Sequence, residues 1–503
     1  MKLGIDFGTT RTLVATVDRG NYPVVSFIDD DGDAHEHFPS VVAAKDGALL
    51  YGFDALTAAK AGAPLVRSFK RALASADVNG ADPVRVGDVE ARLIDVLTGF
   101  LQALAEAVRK KSNVARKKHG ELEAVVAVPA HAHGAQRFLT LDAFRRAGFV
   151  VKAMVNEPSA AGFEYSHRQG RTLSSKRTRV VVYDLGGGTF DASLVKVDAS
   201  AVSTSTAGIH HEVLATAGLN RLGGDDFDEI LCKLALGAAG VSHLDPLARA
   251  QLLDQCREAK ERLTPQSRRI PLEVPLRGSV GDTAALVSIG VEEFYDAAAP
   301  LVDATLDAMR PLLLRLDADK ISDLSEETAE GEPVDVSIDE PGALMSGEEL
   351  ADIAGIYLVG GGSGLPLVPR ALKERFGRRV HRSPHPAAST AIGLAIAADE
   401  EAGFSLADRL SRSFGVFRER NAGRAVAFDP IFNNETALPA PGASVSVSRR
   451  YRAMHNVGHF RFVECSAVDD AGEPRGDLVP FAEVLFPFDP ALRNGEQLAE
   501  VPV

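Results

Sequence analysis

The sequence predicts an α/β protein built from two related lobes with mixed sheets, followed by a small β-domain. Three observations carry this. Strand-like and helix-like segments alternate through the first two hundred residues. One phrase is written twice, as "GIDFGTTRTLVATV" from Gly4 and "VYDLGGGTFDASLV" from Val182. After about Gly403 the pattern changes to period-two segments. With 503 residues, of which 45% are apolar, the chain has the length and the apolar content for several packed cores.

Taken in order, "KLGIDF" and "LVATV" read as strands joined by "GTTR" in a hairpin. "RLIDVLTGFLQALAEAVRKK" carries apolar residues at helical spacing. "EAVVAVPA" is a buried strand stopped by Pro129. "QRFLTLDAFRRAGF" is a helix, "VKAMVN" a short strand, and "EPSAAGFEYSH" a helix with Pro158 in its first turn. "RVVVYDL" begins the second copy of the opening phrase. From Asp317 to Glu349 the chain is acidic and poor in large apolar residues, which predicts a mobile insertion or solvated loop. "IYLVGGGSG" resumes as strand and glycine turn, and "ASTAIGLAIAADEEA" is a helix of small residues. "RAVAFDPIF", "ASVSVSRRYRA" and "GHFRFVECSAV" alternate as half-buried antiparallel strands. These segments predict one unit over 1–403 and a β-domain over 404–503. The first lobe covers about 1–178 plus a helix near 389–403, and the second about 179–388 with the acidic insertion 317–349.

Composition excludes several classes. A formal charge of −14 argues against nucleic acid as a partner. The basic run Arg109 to His119 reads as a solvated helix end. Cys232, Cys256 and Cys465 show no metal or disulfide spacing, in keeping with a reducing compartment. Asp6 interrupts any signal-like start, and no apolar run approaches the ~18 residues of a membrane span. The expectation is a cytoplasmic protein without a membrane partner.

The repeated phrase has a chemical reading. An Asp closing a strand points into a cleft, the glycines let backbone N–H groups approach a ligand, and Thr adds a hydroxyl. Carboxylates tolerate a phosphate only with a hard cation such as Mg²⁺ between them. Either copy alone is an ordinary turn. Two copies suggest a duplication in which two hairpins clamp one phosphate chain.

The phosphate phrases, with "NEPSAAG", "LGGDDFD" and "LVGGGSGLP" in this order, resemble the seventy-kilodalton heat-shock chaperones, actin-like ATPases related to sugar kinases. The resemblance covers roughly Met1 to Glu401, and more weakly Leu410 to Pro490; short bacterial chaperone-like members with a reduced C-terminal half are the more similar ones. It implies duplicated actin-like, ribonuclease-H-like lobes, ATP or ADP with Mg²⁺ as cofactor, and hydrolysis of ATP to ADP and phosphate. By this resemblance Asp6 and Asp184 would hold hydrated Mg²⁺, with Asp191 nearby. Gly8, Thr9 and Thr10, with the amides of Gly186, Gly187 and Gly188, would cradle phosphates, and Thr189 would sit near the γ-phosphate. Lys70 would position the attacking water and Glu157 would orient water around the metal. Outside this context Lys70 is a surface helix lysine, and Glu157 an acid at a helix N-terminus. Gly223, Gly224 and Asp225 would approach phosphate or ribose, although an Asp there also reads as a helix cap. Lys260 and Thr264 would border the adenosine, as would Gly360, Gly361, Gly362 and Ser363. The helices of "PSAAGFEY" and "STAIGLAIAAD" would cross beneath the cleft as a hinge.

The chain departs from the family around adenosine. Arg257 replaces a usual Glu, Glu261 replaces a basic residue, and Gly364 stands where the family has a stacking Arg. Arg11, also unusual, is expected to add charge near the phosphates or to pair with an acid. The phosphate end therefore reads as intact and the base pocket as rebuilt, with modest discrimination between ATP and GTP. The last segment resembles a shortened peptide-binding β-domain. Only 11 residues follow Leu492, so the family's helical lid is expected to be absent and extended polypeptide clients to be held weakly. Two other readings stay open at this level: a nucleotide-dependent scaffold or filament protein with little turnover, and a small-molecule kinase of the same superfamily.

Overall fold

The structure, a computed structural model, describes residues 1–115, 120–169, 173, 178–197, 209–275, 284–327, 353–407, 409–420, 425–433, 436–439, 443–450, 457–469 and 471–487. Two mixed sheets organise it. In the first, the strands run Phe149–Asn156, Leu122–Val128, Lys2–Phe7, Arg11–Thr16, Phe38–Pro39. In the second they run Val380–Arg382, Ile353–Val359, Arg179–Leu185, Phe190–Val197, Ile209–Leu219, Phe404–Ala407. Each sheet has the same heart. A hairpin made by one copy of the repeated phrase pairs antiparallel with itself, and on the other side of its first strand two parallel strands follow in succession. The duplication read from the sequence is thus a duplication of topology.

The hairpin strands are buried almost throughout, because helices cover both faces of each sheet. Leu93–Lys110 and Gly134–Arg146 pack on the first sheet through Leu97, Phe100, Leu104 and Phe144. Gly224–Ala239, Pro246–Glu261 and Val291–Glu327 pack on the second around Phe227, Leu252 and Phe294. Between the lobes the helices Glu157–Gln169 and Ser389–Ala398 cross at small residues. A Cβ at Gly393 would overlap the Ala160 carbonyl, and one at Gly4 would overlap Ala391 and Ala395.

Three sequence expectations change. The acidic segment does not begin as a loop: the helix Val291–Glu327 runs through its first part, and 328–349 lies outside the described residues. Once a helix is nucleated on a packed face, each added residue costs little. Phe404–Ala407 pairs parallel with Ile209–Leu219 and so extends the second sheet instead of beginning the β-domain. "ASVSVSRR" joins no strand ladder at residues 443–450, since alternation shows that a segment could half-bury but not that an edge is available to it. The β-domain is a four-stranded antiparallel sheet ordered Ala425–Phe432, Ser413–Arg420, Val457–Val468, Pro474–Pro487. Among the described residues no helix is long and apolar enough to cross a membrane.

Candidate functional site

The two hairpin turns face each other. In the first, Asp6 lies opposite Leu13 and the turn is fixed from outside: Ser40 donates from Oγ to the Gly8 carbonyl (2.8 Å), and from its N–H to the Thr10 carbonyl (3.1 Å). In the second, Asp184 pairs directly with Asp191, and the turn Gly186 to Thr189 closes on a 3.0 Å backbone bond. A Cβ at Gly187 would stand 2.7 Å from Thr10 Oγ1, and one at Gly188 would stand 3.0 Å from Thr9 Oγ1. The opposed turns are therefore in contact, and only glycine permits that approach. The turn at Gly223 closes the second hairpin from behind: Gly224 N–H donates to the Gly186 carbonyl (2.9 Å) and Asp225 N–H to the Gly187 carbonyl (2.8 Å).

Carboxylates converge at this contact. Burial, then the neighbouring Glu157, push Asp6 up to about 7, partly offset by Lys70. Asp191 also stands at about 7, raised by burial and Glu157 and eased by the Ala130 N–H, which donates to it at 2.9 Å. Asp184 is raised well above the usual carboxylate range by burial and by Glu157, Asp6 and Asp191, and accepts a hydrogen bond from Thr390. Aspartates crowded in this way in a low-dielectric place are stabilised by protonation or by a cation that joins them. Among the described residues no three acidic, His or Cys side chains close directly around one ion.

Lys70 is not at the surface. It lies in the short helix Phe69–Ala74, is 5% exposed, donates to the Phe7 carbonyl, and sits 3.5 Å from Glu157 Oε1 and 5.2 Å from the centre of the Phe7 ring. Glu157 is the first residue of the helix Glu157–Gln169. Gly360, Gly361, Gly362 and Ser363 form the turn after Ile353–Val359; at Gly360, with φ +81°, a Cβ would also overlap the Asp184 carboxylate. Ser363 is buried and donates to the Gly360 carbonyl (2.8 Å).

Beyond these turns, Arg11, Arg67, Ser68 and Arg71 reach across between the lobes, while Lys260, Arg257 and Thr264 bond within the second. Arg11 pairs with Glu261 across the cleft. Arg67 meets Asp254 at 2.7 Å, Ser68 Oγ donates to Asp225 at 2.8 Å, and Arg71 meets Asp226 at 3.3 Å. Lys260 is buried and spends its ammonium on the Gly224 carbonyl and on Asp228, each at 2.6 Å. Arg257 is held by Asp225 (3.1 Å), Asp228 (3.3 Å) and Asp254 (3.8 Å). Thr264 lies apart from the phosphate turns, hydrogen-bonded to Ser267.

The cavity between the hairpins is about 110 Å³, below the ~300–1,000 Å³ of ordinary ligand pockets. It shares walls at Arg11, Lys260, Glu261, Gly361, Gly362 and Ala387 with an outer cavity of about 860 Å³ that Thr264 lines. Together they form one cleft, narrow at the acids and wide outside. Sequence reading missed Arg71, Asp228, Thr390 and Arg382, all lining this cleft. Arg71 adjoins Lys70, and Asp228 stands one helical turn past Asp225, a spacing that places both on one face. Arg382 carries no local signal.

Among known proteins, residues 2–326 match the Hsp70 protein family. The chaperone protein HscA of Cronobacter sakazakii (strain ATCC BAA-894) is 33% identical over 410 residues, a match that covers 79% of this chain and 57% of that protein. The chain thus spans little more than half the length of the curated relative it matches.

Proposed function

The chain belongs to the Hsp70 family, with that family's actin-like lobes, and on this premise we propose that it is an ATP-hydrolysing, chaperone-type protein whose cleft takes a magnesium nucleotide. The observation that carries the reading is the meeting of two glycine hairpins at a buried cluster of acids with one fixed lysine. A bound Mg²⁺ would neutralise phosphate charge. Asp6 and Asp184 would hold its waters, while Asp191, tied to Ala130, would hold the two lobes in register around it. The turn amides of Gly186 to Gly188 and the hydroxyls of Thr9 and Thr10 would cradle the phosphates. Lys70, pinned between the Phe7 carbonyl and Glu157, would orient the attacking water, with Thr189 beside the outer phosphate. Such catalysis is positioning and charge stabilisation with no covalent step on the protein.

The β-domain supports a second part of the reading, an extended polypeptide client. Its concave face forms an apolar cavity of about 800 Å³ with Phe414, Leu438, Val445, Phe460, Phe462 and Phe481 in its walls. A segment held only by this apolar surface should leave quickly.

Phosphate release from ATP by wild type and Lys70→Ala tests the reading, with nucleotide binding by calorimetry and labelled-peptide anisotropy on the same preparations. The variant should lose ~100-fold in rate and keep its nucleotide affinity within about tenfold. Peptide should bind and dissociate within seconds. Wild-type turnover in Lys70→Ala would remove that residue from its role, and absence of ATP binding by wild type would remove the whole reading.

A further inference from the structure

Gly364 leaves the outer cavity without the stacking side chain that the family resemblance places there, and a side chain from a neighbouring strand stands close to that place. Only one heavy atom lies within 4 Å of where a Cβ on Gly364 would stand, and that is Nη2 of Arg382, at 3.2 Å. Arg382 ends the edge strand Val380–Arg382, whose register sets it opposite Leu358, two residues before the Gly360 turn. The next residue anchors it: Ser383 is buried, its N–H donates to the Leu358 carbonyl at 3.1 Å, and its Oγ reaches Glu164. The guanidinium therefore overlies the glycine turn by construction of the sheet.

The other arginines of the cavity wall are committed. Arg11 pairs with Glu261, and Arg370 lies over the Tyr295 ring at 5.1 Å and beside Glu292 at 3.4 Å. Arg257 and Arg262, the side chains nearest in sequence to the departed pattern, are held by Asp225, Asp228 and Glu258. Arg382 is exposed and has no hydrogen-bond or ion-pair partner among the described residues. A planar, weakly hydrated guanidinium in a cavity that opens onto the phosphate end is suited to stack on an aromatic ring tethered to those phosphates.

We propose that Arg382 is the base-stacking residue of this nucleotide site, replacing from the neighbouring strand the arginine absent at position 364. The proposal rests on the nucleotide reading above. It predicts a preference that follows from the base being present, in addition to phosphate affinity, because the guanidinium reaches the outer cavity and not the hairpin contact.

Calorimetry with ADP and with inorganic tripolyphosphate, both with Mg²⁺, tests it on the full chain. Arg382→Ala should weaken ADP on the order of tenfold, the scale of a partly desolvated cation–π contact, and leave tripolyphosphate unchanged. Arg382→Lys, which keeps the charge and loses the plane, should fall between. Gly364→Arg placed in the Arg382→Ala background should restore ADP binding, since position 364 has no left-handed backbone to forbid a side chain and the double change removes its one close neighbour. Equal ADP affinity in wild type and Arg382→Ala overturns the proposal. So does an equal loss for ADP and tripolyphosphate, which would mean a general charge effect. Failure of wild type to bind ADP at all overturns the nucleotide reading first, and is seen before any variant is compared.

Discussion

Asp6 and Lys70 show what a side chain's neighbours decide. In isolation one closes a strand and the other decorates a helix. Brought together with Glu157 they form an acid cluster under tension, with the lysine held among backbone carbonyl, ring and carboxylate. The tension has a pH signature. The folded values of Asp6 and Asp191, about 7, lie above the 3.8 of the unfolded chain. Their protonation therefore stabilises the nucleotide-free fold fully below about pH 4, and this contribution is lost as pH rises through about 7. On the proposed reading a magnesium nucleotide would need the ionised acids, so its binding should tighten from pH 6 to pH 8, whereas tripolyphosphate without metal should not. Asp6→Asn should raise the stability of the nucleotide-free protein by ~0.5–2 kcal/mol, as relief of a strained site commonly does, and should abolish the metal dependence of binding. Thermal melts with and without Mg²⁺-ADP across that pH range check both; a destabilised Asp6→Asn protein with metal-dependent affinity intact would contradict the account.

The crossing of Glu157–Gln169 with Ser389–Ala398 is where composition acts on an element. Neither helix owes its small residues to propensity. Gly393 costs its helix about 1 kcal/mol against Ala, yet the helices meet so closely that a methyl group there would enter the Ala160 carbonyl. Ala161 and Ala391 are fully buried on the same crossing. Gly393→Ala, Ala161→Leu and Ala391→Leu should each cost ~1–3 kcal/mol by overpacking, and on the proposed hinge reading they should reduce nucleotide-induced protease protection. Variants with unchanged denaturation midpoints and protection would show that the crossing is ordinary packing. Above the hinge, Arg11–Glu261, Arg67–Asp254 and Arg71–Asp226 tie the lobes from the other side. Each is part-exposed, and such pairs contribute about 0–1 kcal/mol, small enough to break when the cleft opens.

Across the whole molecule the β-domain is docked on the first lobe through buried polar groups. Arg412, 2% exposed, lies 3.3 Å from Glu464 and 3.5 Å from Asp477. Glu464 in turn accepts from the Gly134 N–H at 2.7 Å, and Arg137 donates to Ser411 at 3.0 Å while also reaching the Ala130 and Ala132 carbonyls. The Ala130 N–H is the one bonded to Asp191. Glu464→Ala would leave Arg412 buried without that partner, a loss on the order of 3–5 kcal/mol. Faster amide exchange along Ser413–Arg420 and along the 129–137 loop should follow, with the lobe sheets unchanged. Exchange unaltered in both places would mean that the docking does not depend on the pair.

The sequence by itself determined the repeated hairpins, the helices with strong apolar period and the glycines of the hairpin turns, since each is a local demand of backbone conformation or one-sided burial. It also marked Lys70 and Glu157, through the phrases around them. It could not say that Asp317–Glu327 would stay helical, that Phe404–Ala407 would leave the β-domain to join the second sheet, or that "ASVSVSRR" would find no ladder at 443–450. Those outcomes depend on which edge or face is free once everything else has packed. The same holds for Arg257, whose change from the family's Glu is answered by Asp225 and Asp228 from another helix and by Asp254 on its own, and for Arg382, which stands beside Gly364 where two parallel strands fix their register. Backbone geometry and periodicity act over a few residues and can be read along the chain. Charge pairing and steric fit act through space, and only the tertiary structure decides who meets whom.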